Sequence, residues 1–164
     1  MLDAAHKKQN TELAGSGYSS NEEALKAGAE MFAPAALLAK REVQFHVVNM
    51  KDGSFGVSNP HVGEVGATQN REPSRSAVMR IADVKSINQS AHTHWDDNLK
   101  FSGADARYVN ITKLTLALIN REGQMSNLTR RSVNRRFKQG TRLVIPPDAR
   151  IKGKSLKMNI NMNF

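Results

Sequence analysis

A chain of 164 residues that is 39% hydrophobic, 24% charged and 5% aromatic is long enough for one domain with a modest core and too short for two comfortable ones. With no cysteine it has no disulfide, no thiolate metal ligand and no thiol nucleophile, and its longest apolar run, 31–39, is broken by Pro34 far short of the roughly 20 residues of a membrane span. The formal charge of +9 sits at one end, since residues 1–120 carry 13 Lys/Arg against 13 Asp/Glu while residues 121–164 carry 11 against Glu122 and Asp148, a distribution that attracts polyanions.

Residues 1–18 mix charged and polar side chains around Gly15-Ser16-Gly17 without periodicity and read as a flexible N-terminal segment, a linker or the cut end of something longer. The N-terminus lacks the apolar core of a secretory signal, so export requires another route or a larger parent chain. Ser19-Ser20 ahead of Glu22-Glu23 offers an N-cap and an acidic first turn, and Leu25, Ala29, Phe32 and Ala36 keep helical spacing, so a helix is predicted from about 20 to 40, bent or split at Pro34. From Glu42 the rhythm becomes alternating, with Val43, Phe45 and Val47, then Asp52-Gly53, then Phe55 and Val57, which reads as a hairpin. On this strand His46 falls on the face opposite Val43, Phe45 and Val47, a surface or supporting position rather than a ligand.

Residues 58–76 are rich in Gly, Asn, Pro and Ser and read as a loop carrying His61 and Glu64. A short helix, a turn and a strand ending in Ala91-His92-Thr93-His94 follow. Ser102 to Asp105 opens a helix, Leu114 to Ile119 has strand length, Arg121-Glu-Gly-Gln is a turn, and Met125 begins a return strand. Short strands are predicted at 144–147 and 156–162. The divisions are 1–18, a domain over 19–128, and a basic extension over 129–164 packed on that domain. The order of elements implies an α+β fold, a central mixed sheet flanked by helices.

The chemistry concentrates at His92, His94 and Asp105. Side chains at i and i+2 of a strand share a face, so both imidazoles can approach one ion, and a helix starting near Ser102 can return Asp105 to the end of that strand. Two imidazole nitrogens and one carboxylate leave a fourth tetrahedral position open, the arrangement of a catalytic Zn²⁺ rather than a structural one. Ser102-x-x-Asp105 is equally a helix start, a capping-box-like pair satisfying first-turn amides. Trp95 and Asp96-Asp97 flank this group as a loop that can shape access to it.

The complete spacing, His92-Thr93-His94, seven residues, then Ser102-Gly103-Ala104-Asp105, resembles the signature of the JAB/MPN (JAMM) metallopeptidases. Within that family, Phe101-Ser102-Gly103-Ala104-Asp105 and the Asp52-Gly53 turn look most like the JAB-like C-terminal domains of bacterial Rhs-type polymorphic toxins. The resemblance covers about residues 20–125 and departs at Trp95, where many members have Pro or Gly, and at Phe45, where a Gly often follows the upstream Glu.

It implies a cytidine-deaminase-like architecture, zinc on His92, His94 and Asp105, Glu42 at the helix–strand junction as general base with Glu64 the alternative, and Ser102 as hydrogen-bond donor to the tetrahedral oxyanion. The implied substrate is a peptide or isopeptide bond in a protein or peptide, with an immunity protein as partner and delivery from a bacterium into a target cell. A competing reading takes Arg130-Arg131, Arg135-Arg136-Phe137-Lys138 and the later lysines, within 130–157, as a polyanion contact of a nucleic-acid-targeting toxin or binding module.

Overall fold

The computed structural model describes residues 2–8, 11–63, 75–96 and 99–137, with only the backbone of 134–137. Glu64, Asp97 and the strands expected at 144–147 and 156–162 lie outside the described residues.

The longest helix, α2 (Asn21–Ala39), is capped by Ser20, whose hydroxyl accepts the Glu23 N–H, and ends at Lys40 in the left-handed conformation. It runs as one helix through Pro34 rather than splitting there. After it the chain enters β2 (Val43–Met50), turns at Gly53, whose φ of 86° is open to glycine without strain, and returns as β3 (Phe55–Ser58), the predicted hairpin. Residues 1–18, read from the sequence as a flexible segment, instead contain a short helix α1 (Leu2–Lys7) and an edge strand β1 (Leu13–Tyr18) paired antiparallel with β3. The glycine-containing composition concealed the strand because its apolar side chains, Leu13, Ala14 and Tyr18, do not alternate and are only partly buried. Within the expected loop a two-residue strand, β4 (His61–Val62), pairs with the start of β2.

The helix α3 (Arg75–Met79) leads to β5 (Val84–Thr93); then come α4 (Gly103–Thr112), β6 (Thr115–Ile119), β7 (Met125–Leu128) and α5 (Arg130–Phe137). The fold is mixed α+β, a seven-stranded sheet in the order β1-β3-β2-β5-β6-β7 with β4 beside β2. Every pairing is antiparallel except β5 with β6. Parallel neighbours need a crossover, and α4 supplies it.

Two apolar layers hold helices on the two faces. Leu25, Ala29, Phe32 and Ala36 of α2 pack on Val43, Phe45, Val47, Ala91, Ala117 and Ile119. Ala106 and Val109 of α4, with Phe101, pack on Leu116, Leu118 and Leu128 of the other face. Burying each large side chain contributes about 1.5–3 kcal/mol, so each face fixes its helix. Among the described residues no helix is long and apolar enough to cross a membrane.

Candidate metal centre

The pleat of the two central strands decides which side chains meet. Gln44 pairs with His92 and His46 with Ser90, and paired residues share a face. The even-numbered positions of β2, together with Glu42 just before it, therefore lie on the α4 face with His92 and His94. The start of β2 is tied to the end of β5 by the Val43 N–H donating to Thr93 Oγ1 at 3.2 Å. Glu42 is held in turn by Gly63 N–H donating to its carbonyl at 2.8 Å. His94 lies one residue past β5, its N–H donating to Ile119 O at 2.7 Å, so it stands at the carboxyl end of the parallel pair, where open α/β sheets form crevices.

The imidazoles of His92 and His94 face each other through Nε2, 3.3 Å apart. His94 Nε2 also lies 3.5 Å from Glu42 Oε1, and His92 Nδ1 lies 3.9 Å from Asp105 Oδ1. Glu42, His92 and Asp105 are buried, at 7%, 1% and 2% exposure.

Asp105 arrives by the α4 cap. The Ser102 hydroxyl accepts the Asp105 N–H at 3.2 Å and donates to Asp105 Oδ2 at 2.9 Å, and the Ser102 N–H donates to the same Oδ2 at 2.6 Å. The capping box read from Ser-x-x-Asp is thus formed, and the same bonds turn Oδ1 toward His92. Ser102 spends its one proton on Asp105, so hydrogen bonding to an oxyanion would require releasing that bond.

These groups line a cleft of about 450 Å³, with Trp95, Asp96, Lys100, Phe101 and Ala104 completing its wall. Comparison with protein-family models, with curated proteins and with solved structures gives no match.

The electrostatics of the cleft are those of a site short of positive charge. Burial, then repulsion from Asp105 and Asp96, raises the Glu42 carboxyl to about 7. Burial lowers His92 to about 4, with Asp105 opposing the shift and His94 adding to it, so His92 is neutral at pH 7 and able to coordinate. Its Nδ1 is buried without a hydrogen-bond partner, a cost that calls for an explanation.

Neutral imidazoles and a carboxylate are zinc donors, and two nitrogens at the usual Zn–N length and tetrahedral angle stand about 3.3 Å apart, the separation of the two Nε2 atoms. The donor set fits a divalent cation. Among the described residues no three such side chains are yet gathered closely enough to hold one, because Asp105 faces Nδ1 of His92 rather than the Nε2 pair. The carboxylate would have to turn toward that pair for the three side chains to share one ion.

Of the other histidines, His46 is fully buried rather than on the surface, its Nδ1 2.7 Å from Ser90 Oγ, which in turn lies 2.7 Å from Tyr108 OH. Alternation along β2 puts His46 on the same face as His92, but no local pattern in the sequence states that Ser90 and Tyr108 meet it there. His61 meets His6 with the rings tilted 59° and their centroids 5.0 Å apart, and it is not part of the cleft wall.

Proposed function

We propose that this chain is a zinc-dependent hydrolase, of the JAB/MPN (JAMM) kind, that cleaves a peptide or isopeptide bond. What supports the reading most is the pair of Nε2 atoms 3.3 Å apart, with Glu42 Oε1 beside His94 Nε2 and Asp105 Oδ1 beside His92 Nδ1. Glu64 lies outside the described residues, and among the described residues Glu42 is the glutamate that lines the cleft, beside Asp96 and Asp105.

His92, His94 and Asp105 would hold the ion. When bound, zinc supplies a Lewis acid for the scissile carbonyl and a water acid enough to ionise near neutral pH. Glu42 would be the proton carrier of the cleft, taking a proton from the attacking water and giving it to the leaving amine nitrogen. Its carboxyl, raised to about 7 in the metal-free cleft, is a base matched to neutral pH once a cation draws it toward its ionised form. Ser102 orients Asp105 and, on releasing Oδ2, donates to the oxyanion. Trp95 and Phe101 give the cleft an apolar wall for the substrate chain.

Taken with the resemblance of the motif, the setting we propose is the effector domain of a bacterial Rhs-type polymorphic toxin, delivered into a target cell and restrained by an immunity protein. The deciding experiment is metal analysis of the purified protein beside His94→Ala, with hydrolysis of peptide and isopeptide substrates followed in both. We expect one zinc per chain and hydrolysis in the parent protein, with both lost in the variant. Hydrolysis by rigorously zinc-free protein would overturn the reading.

A further inference from the structure

We infer that Arg41 is a positioning residue, one that fixes the backbone of Glu42 by gripping the strap 61–63 laid against it. For its effect on catalysis the inference rests on Glu42 being the base of the hydrolase proposed above; for its geometry it does not. Arg41 starts from a fixed base, because the C-terminus of α2 closes on it: Lys40 takes the left-handed conformation and the Arg41 N–H donates to Ala36 O at 3.1 Å. From there its side chain turns toward α1, where Nε donates to Gly63 O at 2.7 Å and a terminal guanidinium nitrogen lies 3.1 Å from Asp3 Oδ1. The next residue, Glu42, sends its carboxylate into the cleft and accepts the Gly63 N–H on its carbonyl at 2.8 Å. Consecutive residues thus hold both polar groups of Gly63, one by its side chain and the other by its backbone.

The strap needs such a grip. Its strand β4 has two residues, paired as Val43 with Val62 and Gln44 with His61, and a pairing this short supplies few ladder bonds against fraying. On the outer side the Val62 N–H donates to His6 Nδ1 at 3.1 Å, but the helix that carries His6 has six residues and is too short to be stable by itself. The Asp3 side chain is 78% exposed, and ion pairs at the surface contribute little. The holding therefore falls on the Nε bond to Gly63, which is part-buried and charge-assisted. Any displacement of the Glu42 backbone reaches its carboxylate, which lies 3.5 Å from His94 Nε2, and misplacing a reacting group by ~1 Å costs up to ~10²-fold in rate. The proposed zinc donors His92, His94 and Asp105 lie outside the strap, so metal content should not follow the same change.

The test uses the full chain, with Arg41→Ala made in the parent protein and again in Glu42→Gln, and the peptide or isopeptide substrate that the parent cleaves. We expect Arg41→Ala to lower kcat ~10- to 100-fold with KM and zinc content unchanged. Arg41→Lys, which reaches one partner but lacks the planar fork, should recover part of the loss. In Glu42→Gln the same Arg41→Ala change should cost nothing further, because a residue that acts through Glu42 then has nothing left to position. Equal losses in both backgrounds would reveal a general structural role and overturn the inference, as would an unchanged kcat in Arg41→Ala. Amide hydrogen exchange of the zinc-free protein reads the geometry without turnover. The Gly63 amide should exchange faster in Arg41→Ala, while those of Val47 and Ala117, buried in the central strands, keep the parental rates. An unmoved Gly63 amide, or uniform acceleration of all three, would also overturn it. Should Arg41→Ala fail to fold, Arg41→Lys carries the same comparisons. A parent protein without hydrolysis would instead sink the hydrolase reading, and the Gly63 exchange rates would still decide whether Arg41 holds the backbone of Glu42.

Discussion

Replacing Ser102 by Ala separates two tasks that one hydroxyl performs. The change removes an acceptor for the Asp105 N–H at 3.2 Å and a donor to Asp105 Oδ2 at 2.9 Å, while the backbone Ser102 N–H, at 2.6 Å from Oδ2, stays in place. Loss of a serine N-cap costs about 1 kcal/mol, within a range of roughly 0.5–2. Because Oδ2 keeps its backbone donor, the further penalty on the buried carboxylate falls at the low end of the ~1–3 kcal/mol for an unsatisfied group. A total of about 2 kcal/mol corresponds to a melting temperature lower by roughly 4–8 °C in a domain of this size. Freed on one side, Asp105 loses the support that holds its Oδ1 beside His92, and zinc affinity should fall ~10- to 100-fold, as for other supports of metal ligands. Scanning calorimetry of the metal-free protein gives the first quantity and chelator competition the second, with Ser102→Thr, which keeps the hydroxyl, restoring both. A Ser102→Ala protein that melts with the parent and binds zinc equally well would refute the reasoning that the cap positions the ligand.

Glu42→Gln should keep zinc and lose ~10²- to 10⁴-fold in hydrolysis, the usual worth of a general base; a variant as active as the parent removes Glu42 from the mechanism. The same substitution tests the electrostatics of the metal-free protein. With its folded carboxyl raised from 4.5 to about 7, Glu42 contributes stability that is fully present below pH 4.5 and lost as pH rises through 7. Urea midpoints should therefore show Glu42→Gln gaining on the parent across that window, and parallel pH profiles would contradict it. Gly28→Ala, despite a helix propensity better by ~1 kcal/mol, places a Cβ 2.4 Å from Phe45 Cε2 in a fully buried layer. Overpacking of ~1–3 kcal/mol should leave it less stable than the parent in urea unfolding, with Phe45→Leu in the same chain recovering part of the loss; a more stable Gly28→Ala would show that the layer yields.

The parts of this molecule legible in the sequence are those governed by a short period. The helical spacing of Leu25, Ala29, Phe32 and Ala36 and the alternation of Val43, Phe45 and Val47 state their own faces, and those faces are the ones packed together. The same alternation carries Glu42 and His92 to the opposite face, because a strand residue has only two directions to point. What a period cannot state is which strands become neighbours. The edge strand Leu13–Tyr18 contributes backbone hydrogen bonds to β3 and few side chains to the core, so Gly15-Ser16-Gly17 looked like a linker. Asp96, read from the sequence as part of a loop that can shape access to the site, is held there for a related reason: its position depends on the parallel pairing of β5 with β6 and on the bond from Arg121 N–H to its carbonyl, both set by a crossover that brings residue 121 back to residue 96. The motif supplied the donors as a local pattern, and the topology supplied their convergence. The Ser-x-x-Asp pair is a helix cap with a second consequence: the bonds that satisfy the first turn of α4 also set Asp105 beside His92, which is where the proposed ligand role needs it.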